Sequence, residues 1–232
     1  MNWLRGSIGK EDPEARHGRA TVSILDANDG IMSAAGIAEG FASAGASIKT
    51  LLLAGTAVIL AGGSAVAGGR YSEVRTEWEM NRAQIEVERA SIEADPAGEL
   101  EELVGIYEAK GLNSRLARQV AEAFTERDPV AAHTEAELRL DAPGRTSGAL
   151  PAALTAGLCY GIGAAVPLAG MKWLPLDDRL TLTFVTVLVA LGLTGWLAGW
   201  LTGLPVFRLV RRNLAIGSGI MVASILAGHA LH

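Results

Sequence analysis

Several absences narrow the field before any motif is read. The chain has one cysteine, Cys159, so neither an intramolecular disulfide nor a multi-cysteine metal cluster can form. Cys159 lies in an apolar stretch and reads as a small buried hydrophobe. No glycine-rich loop ends in Gly-Lys-Ser or Gly-Lys-Thr, so ATP-driven chemistry has no phosphate cradle. No histidine pair has metalloprotease spacing, and no nucleophile stands with a base; an enzyme is not expected. An excess of positive charge is also missing: the net charge is −5, which disfavours nucleic acid as a partner. The first twenty residues are polar and lack an apolar h-region, so no cleavable signal peptide is expected.

Charge is also absent from long stretches of the chain. Leu51 to Gly69, Ala149 to Met171 and Leu180 to Phe207 hold no charged residue, and Leu214 to Leu231 holds only His229. Each reaches or approaches the ~20 residues that cross a hydrocarbon core. A further apolar stretch from Val22 to about Ala46 contains Asp26, Asp29 and Glu39. Carboxylates inside a span are expensive and mark ion paths or proton relays. Five spans are therefore expected. Their glycine-rich small-residue spacings, such as Gly62-Gly63-Ser64-Ala65 and Gly199 to Gly203, suit close helix packing or a dimer face. Trp173, Trp196 and Trp200 fit interfacial anchoring or packing.

What charge there is lies mostly between the second and third spans. Glu73 to Asp141 carries a net −9, the rest of the chain +4. This acidic block reads as helical. Tyr71 to Ala94 has neither glycine nor proline and extends span two into the cytoplasm. Asp95-Pro96 starts a helix whose stripe is Leu100, Leu103, Ile106 and Tyr107, with Gly111 as its left-handed C-cap. Asn113 or Ser114 starts the next, with Leu116, Val120 and Phe124 as its apolar face, and Asp128-Pro129 starts another. Asp141 to Ser147 is the return linker. With the N-terminus inside, Arg208, Arg211 and Arg212 and the acidic block are cytoplasmic, while the outer loops hold Lys49, Lys172, Arg179, Asp177 and Asp178.

The order of these parts, two spans, a helical acidic block and three spans, comes with local motifs. Span one has Asn28-Asp29-Gly30-Ile31. The block has Glu88-Arg89-x-x-Ile92-x-x-Asp95-Pro96, then Glu99-Leu100-Glu101-Glu102-Leu103-x-x-Ile106-Tyr107-x-x-Lys110-Gly111-Leu112, then His133-x-x-x-Glu137-Leu138. Span three has Ala165-Val166-Pro167-Leu168 and span five begins Arg212-Asn213-Leu214-Ala215-Ile216-Gly217. Together these resemble the vacuolar iron transporter family over nearly the whole chain from Ala20. The resemblance implies a homodimer of five-span protomers that moves Fe(II), and often Mn(II), out of the cytosol in exchange for protons. It places a path carboxylate at Asp29, with the path at the dimer interface. It also implies a metal site on the block. Four glutamates of the family fall here on Glu88, Ser91, Glu99 and Glu102, and a Met and a Glu of the last block helix fall in the region of His133, Thr134, Glu135 and Glu137. The family's Met and Glu at the end of span two are Ala65 and Gly69 here. Losing a soft sulfur ligand leaves oxygen ligands, better suited to Mn(II) or less discriminating.

Each of these residues also has a plainer reading. Asp26 or Asn28 could cap the first span at the water interface. Helical glutamates are usually solvated, and Glu73, Glu77, Glu79, Glu86, Glu93, Glu101 and Glu108 are read as solvated surface or ion-pair partners; His229 and His232 are assigned nothing. Glu39 could replace the carboxylate lost at Gly69. The expected protein is thus an all-α membrane protein with residues 1–20 as a cytoplasmic N-terminal segment, 21–69 as spans one and two, 70–146 as a cytoplasmic acidic metal-binding domain and 147–232 as spans three to five. Path residues are Asp29, Asp26 and Glu39; metal residues are Glu88, Glu99, Glu102, His133, Glu135 and Glu137. No prosthetic group is expected, only Fe(II) or Mn(II) as cargo. The setting is a cell inner or plasma membrane, and the rival function is a membrane metal sensor or buffer that does not transport.

Overall fold

The structure, a computed structural model, describes residues 13–138, 148–173 and 179–230. Most of the N-terminal segment, the return linker Asp141 to Ser147, the loop acids Asp177 and Asp178, and His232 lie outside the described residues. Among the described residues every regular element is a helix: α1 (Pro13–Ser43), α2 (Ile48–Ala94), α3 (Pro96–Ala109), α4 (Ser114–Arg127), α5 (Pro129–Leu138), α6 (Ala149–Trp173), α7 (Arg179–Thr202) and α8 (Val206–Ala230). They form two compact units, one of residues Met1–Tyr71 with Leu150–His232, the other of Ser72–Ala149.

Four helices among the described residues are long and apolar enough to cross a membrane: α2, α6, α8 and the Thr181–Thr202 part of α7. The fifth apolar stretch, in α1, is not among them, since Asp26, Asp29 and Glu39 interrupt its apolar run. Yet α1 is deeply enclosed within its unit, with Ile31, Ala34, Ala35 and Ala38 at most 2% exposed. Its alanines meet different neighbours in turn: Ala34 packs with Tyr160 and Ala164 of α6, Ile31 and Ala35 with Val187 and Leu191 of α7 and Met221 of α8, and Ala38 with Leu51 of α2 and Met171 of α6. Small side chains make this approach possible where apolar collapse against lipid gives no drive. The α1–α6 crossing shows it most plainly. A Cβ on Gly30 would run into the Tyr160 carbonyl, and one on Gly163 into the Ala27 carbonyl. Pro167, buried within α6, has no amide hydrogen for the Gly163 carbonyl one turn earlier.

The second unit packs α3, α4 and α5 around Leu103, Val104, Ala117, Ala121, Ala132 and Ala136. Each helix start is capped as its sequence dictates. Asp95 accepts from Gly98 N at 2.9 Å, with Pro96 at the first helical position; Asn113, not Ser114, accepts from Leu116 N at 3.0 Å; Asp128 accepts from Ala131 N at 3.0 Å. Gly111 ends α3 with φ +100°, a conformation that a side chain disfavours. The face of α4 differs from expectation. Ala117 and Ala121 are its buried positions, while Leu116 and Phe124 stay about 43–44% exposed. Close contact between α3 and α4 admits methyl groups at the seam and displaces the larger side chains to its edge, where Phe124 stacks on Tyr107 at 6.2 Å between ring centroids.

Candidate metal site and path carboxylates

Three helices of the second unit deliver acids to one histidine. α5 places His133 and Glu137 at i, i+4, hence on one face. α2 brings Glu88 and the first turn of α3 brings Glu99. One ligand atom from each of Glu88, Glu99, His133 and Glu137 lies within 4.8 Å of the others. The His133 side chain is 1% exposed, and its Nδ1 is 3.0 Å from Glu88 Oε1, 3.0 Å from Glu137 Oε1 and 3.7 Å from Glu99 Oε2.

The crowding around Nδ1 is informative. A ring nitrogen carries at most one hydrogen. The hydrogen bond of His133 goes to Glu137 Oε1, and Glu88 Oε1, equally near and buried, has no hydrogen-bond partner. An unpaired buried carboxylate oxygen is costly unless a cation meets it. Burial pushes the Glu88 carboxyl above its ordinary range; Glu137 adds to the rise, His133 opposes it, and Glu99 and Glu102 contribute the remainder. Three carboxylates and an imidazole form a donor set for a borderline divalent ion such as Fe(II) or Mn(II).

The other two acids proposed from the sequence are placed differently. Glu102 is exposed on α3 and is not among the converging groups. Glu135 is exposed on α5 and acts on Tyr107, whose phenol is raised first by burial and then by this charge. Thr134, also in the region of resemblance, is buried and turns its hydroxyl back onto the Val130 carbonyl at 2.9 Å. Ser91, half-buried on α2, brings no carboxylate. Of the glutamates read as ion-pair partners, Glu101 takes two short bonds from Arg118 at 2.6 and 2.7 Å, and Glu79 takes one from Arg75 at 2.8 Å.

In the first unit the three acids of α1 have three environments. Asp29 is exposed on the surface of the chain. Asp26 is buried and 3.5 Å from Arg70 Nη2 on α2. Glu39 is 1% exposed, with Oε1 lacking a hydrogen-bond partner. Ala65 and Gly69 are exposed on α2 and offer no donor. Sequence reasoning missed the uncharged polar groups among these helices: Thr194 donates to Asn28 Oδ1 across α1 and α7, and Thr183 and Asn213 are buried. It also missed Arg70 as a partner of Asp26; the signal was an arginine directly after Gly68-Gly69, at the end of an uncharged run.

No curated protein matches the chain. The family model described as the VIT family matches residues 21–229, from the first apolar helix to the last. That match takes in both units and every residue of the four-ligand cluster, and the chain therefore belongs to the VIT family, the vacuolar iron transporter family.

Proposed function

We propose that this protein is a divalent metal transporter that exports Fe(II) or Mn(II) from the cytosol in exchange for protons. The family points to metal-ion transport rather than catalysis, and the apolar helices make the chain an integral membrane protein. The observation that carries the reading is the Glu88–Glu99–His133–Glu137 cluster, in which one imidazole nitrogen faces more carboxylate oxygens than it can serve. In this reading α1 is span one and brings the count to five, its acids accounting for its low apolarity; the second unit is cytoplasmic, and the spans lie in an inner or plasma membrane. Metal collects at the four-ligand cluster. Two protomers pair so that Asp29 of each, exposed on a single chain, lines a shared path. His133 supports a modified ion preference: an imidazole suits iron and neighbouring borderline ions, while three hard carboxylates keep Mn(II) in range.

One observation favours a second reading, a metal-binding sensor or buffer that does not transport. Arg70 puts a fixed cation beside Asp26, and α2 presents Ala65 and Gly69 without donors. Anaerobic Fe(II) and Mn(II) flux into proteoliposomes, with and without a pH gradient, separates the two. Gradient-driven flux that Asp29→Ala abolishes establishes the antiporter. Tight binding without flux of either ion replaces it with the sensor.

A further inference from the structure

Asn28 and Thr194 are hydrogen-bonded between α1 and α7, and Ile31 and Ala35 pack in the same cluster as Leu191 and Val187. Residue numbers rise along α1 as they fall along α7, so the two helices are antiparallel. Eleven residues on from Asn28 is Glu39, and eleven back from Thr194 is Thr183. Eleven residues are about three helical turns, which returns each side chain to the face of its starting residue. The register therefore sets Glu39 level with Thr183.

Both ends of this pairing lack a partner. Glu39 is 1% and Thr183 0% exposed, and neither Glu39 Oε1 nor Thr183 Oγ1 makes a hydrogen bond. Helical threonines normally turn the hydroxyl back onto the carbonyl one turn earlier. Thr155, Thr186 and Thr202 do so at 2.7–2.9 Å, whereas Thr183 does not. A hydroxyl that declines this default, level with a carboxyl oxygen in the same condition, leaves two buried polar atoms unsatisfied at one height of the bundle.

We propose that Glu39 and Thr183 form a proton-holding site inside the protomer, between α1 and α7, separate from the metal-carrying Asp29. The inference rests on the antiport reading and names where its proton sits. A proton is favoured over a metal ion by the donor count. A desolvated divalent cation wants about six oxygens; this level offers a single carboxyl, with the hydroxyls of Thr183 and of Ser224, which lies against Gly36, while Ser43 is committed to the Gly40 and Ile225 carbonyls. A neutral carboxylic acid is far cheaper to bury than its anion, and the Thr183 hydroxyl, unbonded in the structure, remains available as an acceptor at this level. The titratable groups at this end of the neighbouring helices are Lys49 on α2, Lys172 on α6 and His229 on α8, all exposed. From α7 the described side chain at this level is Thr183 itself; the loop before α7 lies outside the described residues. The acids of α1 are thus divided: Asp29 takes the metal and Glu39 takes the proton that returns against it.

The test combines infrared spectroscopy with flux on the full chain in lipid. Wild type should show a protonated-carboxyl carbonyl band at neutral pH that Glu39→Gln removes. Thr183→Val, which replaces only a hydroxyl by a methyl, should shift both the band and the pH at which it disappears. Mn(II) flux driven by a pH gradient should be lost in Glu39→Gln. A wild-type band that Glu39→Gln leaves intact overturns the site, as does gradient-driven flux unchanged in that variant. Absence of any wild-type flux, with the band behaving as expected, refutes antiport while the proton site stands. Should Glu39→Gln not fold, the Thr183→Val band decides alone: an unshifted band overturns the proposal.

Discussion

His133 precedes Glu137 by one helical turn, and its Nδ1 meets Glu137 Oε1 at 3.0 Å while its ring is sealed from solvent. The imidazole is thereby fixed with one nitrogen directed at the acids of α2 and α3. His133→Ala should weaken Mn(II) and Fe(II) binding by about 10–100-fold, the range seen when groups that hold or orient metal ligands are removed. His133→Met should move the preference towards Fe(II), because a thioether is softer than an imidazole. Anaerobic titration calorimetry of the two variants checks both statements, and an unchanged affinity in His133→Ala would remove the histidine from the site.

Glu88 gives binding a pH dependence of known sign. Its carboxyl is raised by burial first, then by Glu137. A proton competes with metal for that carboxylate, so affinity falls as pH drops through the raised range. Without metal the sign is opposite. A raised carboxyl contributes stability that is present below the ordinary carboxylate range and is lost as pH rises through the folded-state value. The metal-induced rise in melting temperature should therefore grow with pH across that window, and a rise that is constant with pH would refute the assignment.

Arg70 stands 3.5 Å from Asp26. A guanidinium there repels an approaching divalent ion, with an energy that grows as water is excluded. Arg70→Gln should raise Mn(II) flux at least about threefold if the arginine guards the path. A fall in flux with a lowered melting temperature would mean instead that the pair joins α1 to α2.

Close packing makes a contrast between glycines. Gly163→Ala drives a methyl into the Ala27 carbonyl, which must shift the backbone. A cost of about 1–3 kcal/mol is expected. Gly192→Ala on α7 meets nothing within 4 Å and should be neutral or stabilising, since alanine is the better helix former. Thermal unfolding in detergent compares the two.

The helical class was legible because apolar runs and caps are local signals. Asp95 with Pro96, Gly111 and Asp128 each report the conformation of residues within one turn, and the structure has them as read. The α4 face was misread because hydrophobicity ranks Leu116 and Phe124 above Ala117 and Ala121, while a tight helix crossing selects for size. The cluster residues could be named, but not their convergence. Glu88 and His133 are brought together by the packing of α3 and α5, and nothing local distinguishes Glu137, which joins them, from Glu135, which does not. Thr183, Thr194 and Asn28 were passed over for a related reason. An uncharged polar group in an apolar run declares nothing until its neighbour on another helix is known.

Pro167 gives α6 a mechanical property. Its missing amide leaves the Gly163 carbonyl without the usual acceptor role, at the level where α6 touches Ala27 beside Asp26 and Asn28. Flexing α6 there breaks no backbone bond between these two residues, whereas flexing an unbroken helix strains its ladder. The helix that touches the acidic part of α1 therefore has its one missing ladder bond at that contact, and bending there costs less than bending elsewhere along α6.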